Sequence, residues 1–113
     1  MSAVTTHVLD TASGRPAAGV AVVLERRTAE QWTAVGRGET DADGRARHLM
    51  PDGAGLEPGV YRLTFDTGRY FAAQSVRTLY PSVVIVFEAA AGESHYHVPL
   101  LVGPFGYTTY RGS

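Results

Sequence analysis

Lysine and cysteine are both absent from the 113 residues. All ten basic side chains are arginine. No Schiff-base lysine and no phosphate-loop lysine is therefore available. Without cysteine there is no thiol nucleophile, disulfide, zinc–thiolate site or iron–sulfur ligation. The same absence fits a reducing compartment without requiring one. Long apolar runs are missing too. The longest, Val83 to Phe87, is strand-sized and far short of the roughly 20 residues that span a bilayer. The opening Met1-Ser2-Ala3-Val4-Thr5-Thr6-His7 has neither a basic n-region nor an apolar h-region, so no signal peptide is read there and a cytoplasmic location is expected. Nor is there an excess of one charge. Ten basic and eleven acidic side chains give a net charge of −1, which argues against a nucleic-acid or anionic-membrane binder. The glycines follow neither a dinucleotide-binding nor a Walker spacing, and no G-x-S-x-G elbow exists. A working set of His, Arg, Tyr and the chain end is what remains. That set suits activation of a water and stabilisation of an oxyanion, with no cofactor and no covalent intermediate.

What is present is the composition of a packed fold. With 44% hydrophobic and 19% charged residues, the chain reads as one globular domain, 1–113. Thirteen Gly and six Pro cut it into short pieces rich in Val, Thr, Tyr and Phe. Such punctuation predicts an all-β sandwich or barrel. Strands are expected at 4–10, 20–27, 32–38, 45–49, 60–66, 83–88, 95–102 and 106–111. Turn chemistry marks Ser13-Gly14-Arg15-Pro16, Asp41-Ala42-Asp43-Gly44, Pro51-Asp52-Gly53 and Glu57-Pro58-Gly59. Thr67 to Ser75 has helix formers and no alternation, so one short helix is expected there. Ala89-Ala90-Ala91-Gly92 reads as a hairpin loop.

Period-two alternation assigns faces. Tyr61, Leu63 and Phe65 face a core, as do Tyr96, Val98, Leu100 and Val102. Opposite them on the seventh strand lie His95, His97, Pro99 and Leu101. On the first strand Thr5, His7 and Leu9 share the face away from Thr6 and Val8. Tyr107 and Thr109 oppose Thr108 and Tyr110. A second face mixing His, Leu and Tyr suits a subunit interface or a lined cavity better than open solvent.

His95-x-His97 has a common metal-ligand spacing, but a third ligand such as His7 or His48 would be needed. A pair of surface imidazoles is the plainer reading. Lone His7 and lone Arg45 are each, on their own, ordinary strand residues. Asp41 and Asp43 bracket a turn and are read as Asx-turn acceptors, not calcium ligands, since no further carboxylate follows at loop spacing.

Two segments are more specific. Thr6-His7-Val8-Leu9-Asp10-Thr11-Ala12-Ser13-Gly14-Arg15-Pro16-Ala17 resembles the N-terminal signature of the transthyretin-like family. Gly103-Pro104-Phe105-Gly106-Tyr107-Thr108-Thr109-Tyr110-Arg111-Gly112-Ser113 resembles its C-terminal signature. The ending Tyr110-Arg111-Gly112-Ser113 is similar to that of one branch, the 5-hydroxyisourate hydrolases. Trp32, Thr40 to Arg45, Gly59-Val60-Tyr61 and Tyr70-Phe71 look like further landmarks. The resemblance implies a two-sheet β-sandwich of eight strands with one short helix. It further implies a homotetramer with active sites in a central channel at the dimer–dimer interface.

Carried over by position, the implied catalytic residues are His7, Arg45 and His97. The implied substrate contacts are His7, Arg45, Tyr110, Arg111, Gly112 and Ser113. His95 is expected to be peripheral, and no metal or cofactor is implied. The implied reaction opens a cyclic amide of 5-hydroxyisourate, giving 2-oxo-4-hydroxy-4-carboxy-5-ureidoimidazoline in urate breakdown. Arg45 suits a bidentate grip on a planar, polar, anionic substrate. His97 is taken mainly as base and His7 as partner, with the reverse left open. The rival readings are a transthyretin-like carrier of a small aromatic ligand and a zinc or copper site on His95 and His97.

Overall fold

A computed structural model describes residues 2–113. Met1, the first residue of the expected opening segment and of the expected domain, lies outside them. The described chain folds into two β-sheets with a buried apolar cluster between them. The first sheet contains β1 (Val4–Asp10), β2 (Arg15–Pro16), β5 (Arg45–Ala46), β8 (Tyr96–Gly103) and β9 (Gly106–Thr109). The second contains β3 (Ala21–Thr28), β4 (Gln31–Glu39), β6 (Gly59–Phe65) and β7 (Val83–Ala89), in the order β4-β3-β6-β7. The pairing of β1 with β8 is parallel, and the other strand pairs are antiparallel. The one helix among the described residues, α1 (Thr67–Ala72), starts where the Asp66 carboxylate accepts the Arg69 N–H.

The alternation holds where the core is concerned. Tyr61, Leu63, Phe65, Tyr96, Val98, Leu100 and Val102 are all buried, together with Val4, Val8, Val22 and Leu24. Burying these side chains is what fixes the register, because a one-residue slip would expose the whole set.

Three expectations need correction. Nine strands are present among the described residues, not eight, because Arg15–Pro16 follows its turn as a two-residue strand on the Leu9–Asp10 end of β1. The expected strand 45–49 shrinks to Arg45–Ala46. Leu49 leaves the sheet edge to reach the core, where its backbone lies against Gly36 so closely that a Cβ there would sit 1.6 Å from the Leu49 carbonyl oxygen. Ala89 to Gly92 does not close a hairpin. β7 pairs with β6 and β8 pairs with β1, so the segment carries the chain from one sheet to the other.

Candidate active site

The pairing of three strands builds the site. Antiparallel register sets His7 beside Arg45. Parallel register sets Thr5 beside His97 and His7 beside Pro99. Thr5 and His7 share one face of β1, and His97 and Pro99 share the same face of β8. Two adjacent rows on the outer face of this sheet therefore carry Arg45-His7-Pro99 and Thr5-His97.

The turn before β5 places Arg45. One Asp41 carboxylate oxygen accepts N–H bonds from Asp43 at 2.9 Å and Arg45 at 3.0 Å. The other accepts from the Arg47 guanidinium at 2.9 Å. This is the Asx turn expected from the sequence. The Arg45 N–H bond is the foremost reason the Asp41 carboxyl titrates below its ordinary value. Gly44 completes the turn at φ +77°, with its α-carbon so near β1 that a Cβ would fall 2.4 Å from the Val8 carbonyl oxygen. The same turn offers the Asp43 carbonyl to His7, whose Nε2 lies 2.9 Å away. A carbonyl only accepts, so Nε2 of His7 carries the proton.

His97 is held differently. Its Nδ1 lies 2.8 Å from the Thr5 hydroxyl, and the same hydroxyl lies 3.2 Å from Nε2 of His95. Burial lowers the His97 pKa below the ordinary 6.5, and the Arg45 cation, with His7 and His95 when they are protonated, lowers it further. The ring is thus neutral at neutral pH, with Nε2 left for a water or substrate.

Thr5, Thr6, Arg45, Arg47, His95, His97 and Ser113 line one cavity of about 190 Å³. Three of these, Thr5, Thr6 and Arg47, were not singled out from the sequence, and Thr6 lies on the face of β1 opposite Thr5 and His7. Thr5 shares a face with His7, and Arg47 follows Arg45 by two residues, so the alternation held a signal for both. His48 lies elsewhere, 71% exposed and 3.5 Å from the Asp52 carboxylate. Among the described residues no three of His, Cys, Asp and Glu are grouped to hold a metal ion. The third ligand required by the zinc or copper reading is therefore not supplied there.

The terminal tetrapeptide divides. Gly112 bridges His97, donating its N–H to the His97 carbonyl at 2.8 Å, and Ser113 reaches the cavity. Tyr110 and Arg111 do not join the chain's own histidine cavity. They line a groove with Tyr96, Val98, Ile85 and Phe87. The Arg111 guanidinium sits 4.3 Å from the Tyr96 ring centre and 3.3 Å from the Glu93 carboxylate. β9 ends at Thr109, so strand alternation does not govern Tyr110, which is largely exposed.

The model of the HIUase/Transthyretin family matches residues 4–112. The chain belongs to this family. A 5-hydroxyisourate hydrolase of Caulobacter vibrioides is 50% identical over 117 aligned positions covering the whole of both chains. Among solved structures, Klebsiella pneumoniae 5-hydroxyisourate hydrolase superimposes with a TM-score of 0.85 at 35% identity, covering 97% of this chain and 98% of that one. Sea bream transthyretin in complex with thyroxine superimposes with a TM-score of 0.90 at 35% identity, covering 97% and 94%. The family thus includes both an enzyme and a ligand-binding protein, and the side chains on the outer face have to decide between them.

Proposed function

We propose that residues 1–113 form one hydrolase unit that opens the cyclic amide of 5-hydroxyisourate. The observation that carries this reading is the polar cavity in which neutral, partly buried His97 sits with Arg45 and Arg47. A thyroxine-type carrier has no use for a base beside a guanidinium fork, whereas amide hydrolysis uses both. The full-length 50% identity to a named hydrolase supports the same choice.

In this mechanism Arg45 grips the planar anionic substrate and neutralises charge developing on the attacked carbonyl oxygen. His97 Nε2 takes a proton from the attacking water. The carbon–nitrogen bond of the ring then breaks, and the departing nitrogen takes up the proton held by His97, which returns to its neutral form. His7, with its Nε2–H committed to Asp43, orients the water or substrate from Nδ1. Gly112 and Ser113 close the cavity, while Arg111 anchors the tail against Tyr96 and Glu93 and Tyr110 lines the adjoining groove.

The decisive experiment generates 5-hydroxyisourate in situ with urate oxidase and follows its ultraviolet decay with and without the protein. Faster decay that persists in a strong chelator is expected. Unchanged decay returns the reading to the carrier, and a chelator-sensitive rate restored by zinc returns it to the metal site.

Arg45 offers a second check, because its charge and its shape can be separated. Arg45→Gln removes a cation that depresses the His97 pKa, so that pKa rises. A base works only when unprotonated, so the acid limb of kcat/KM should move to higher pH. Arg45→Lys keeps the cation and should leave the limb in place, yet lower kcat/KM because an ammonium cannot form the bidentate fork. An unmoved limb in Arg45→Gln would show that His97 does not govern it.

The proposal includes a homotetramer and a cytoplasmic location. Leu9 and Leu101 pair on the outer face and are only half-buried in one chain, and Phe105 and Tyr110 are exposed. Light scattering is expected to give four times the 12.1 kDa chain mass. A fully active monomer would remove the shared channel from the mechanism.

A further inference from the structure

We propose that Thr5 is a positioning residue whose hydroxyl, shared between His97 Nδ1 and His95 Nε2, fixes the proton of His97 on Nδ1 and so keeps Nε2 free. This rests on the base role given to His97 above.

The argument is one of counting protons. A threonine hydroxyl has one proton to donate and lone pairs to accept with. It lies within hydrogen-bond distance of both rings, 2.8 Å from His97 and 3.2 Å from His95. Thr5 is 4% exposed, so water has little access to replace either partner. If Thr5 donates to His95 Nε2, it accepts from His97 Nδ1–H, and the His97 lone pair is on Nε2. If His95 Nε2–H donates instead, the Thr5 proton is freed from His95 and can turn to His97 Nδ1. The His97 proton then sits on Nε2 and the base is lost. One hydroxyl thus links the tautomers of two imidazoles.

The surroundings favour the first arrangement. The Arg45 cation acts on the His97 ring and lines the same cavity, and a positive charge favours a lone pair over an N–H on the nitrogen left to that cavity. His95 therefore has its proton on Nδ1 and serves as the acceptor that orients Thr5. The neighbouring His7 is outside this relay, since its Nε2 is bound to the Asp43 carbonyl.

The test reads the tautomer directly. In uniformly ¹⁵N-labelled protein at the assay pH, long-range proton–nitrogen correlations of His97, assigned with the His97→Asn variant, are expected to show a protonated Nδ1 and an unprotonated Nε2. A protonated Nε2 in the unmodified protein overturns the proposal whatever the variants do. Thr5→Val keeps the side-chain shape and removes the hydroxyl. It should lower kcat about ten- to a hundredfold with little change in KM, part of the roughly 10²–10⁴ that a general base contributes. It should also move the His97 signature toward protonated Nε2. Thr5→Ser should restore both. A folded Thr5→Val variant with unaltered kcat and unaltered His97 signature overturns the proposal. If Thr5→Val does not fold, the signature of the unmodified protein decides alone. Retained activity in His97→Asn would instead sink the base assignment, and the tautomer measurement would stand apart from that result.

Discussion

His97→Asn is expected to keep the fold and assembly while lowering the hydrolysis rate roughly 10²–10⁴-fold, the usual contribution of a general base. The fold survives because the contact that ties the tail to this position is the His97 backbone carbonyl, which receives the Gly112 N–H at 2.8 Å. Asparagine retains that carbonyl and a side-chain group of similar reach toward Thr5, yet has no basic nitrogen at neutral pH. His95→Asn should cost far less, since His95 acts on His97 only through the Thr5 hydroxyl, which can still accept from His97 Nδ1–H without it. His48→Asn should cost almost nothing, because His48 is exposed and paired with Asp52 outside the cavity. A carrier would show modest affinity changes in all three and no lost rate. Greater damage from His95→Asn than from His97→Asn would move the base to the other ring and overturn the site assigned here.

Strand alternation puts His95 and His97 on one outer face because it is a two-valued choice that the core enforces, while the ranking of His97 above His95 comes from the family resemblance. Tyr96, Val98, Leu100 and Val102 are buried, so His97 has to point to the other side. The same logic puts His7 outward from Val8. Alternation says nothing about which strands are neighbours. Hence Ala89 to Gly92 looks like a hairpin, although β7 and β8 belong to different sheets. The parallel pairing of β1 with β8, which brings Thr5 to His97, joins residues 92 apart in the chain. Nothing local signals such a contact, and Thr in a strand is ordinary for propensity reasons. The tail is less legible in the sequence for a different cause. The four residues beyond Thr109 are held by a few side-chain and bridge contacts, namely Arg111 on Tyr96 and Glu93 and Gly112 on His97. Resemblance could mark the tetrapeptide as important, but only coordinates divide it into an anchoring half and a half that meets the histidine.

That division gives the glycine a definite task. Gly112→Ala is expected to lower kcat/KM about a hundredfold, the scale of a misplacement of about 1 Å in a catalytic group. A Cβ on residue 112 would fall 2.5 Å from His97 Cδ2, 3.3 Å from His97 Cγ and 3.2 Å from Pro99 Cγ. The proline ring is pinned in its strand and cannot yield much. The remaining ways out are both harmful. If the imidazole swings, its 2.8 Å bond to Thr5 is strained or broken and Nε2 leaves its aim. If the tail lifts, the Gly112 N–H loses the His97 carbonyl, and Ser113 is withdrawn from the cavity it lines. Gly112 has no left-handed backbone to preserve, so the effect is one of volume alone. Thermal stability should change little, because the clash lies at the chain end, outside the apolar cluster formed by residues such as Val8, Leu24 and Leu100. Kinetics and thermal melts on the same Gly112→Ala preparation test this directly. A variant with the native melting point and the native rate would mean that the tail moves aside freely, and that closure over His97 contributes nothing to turnover.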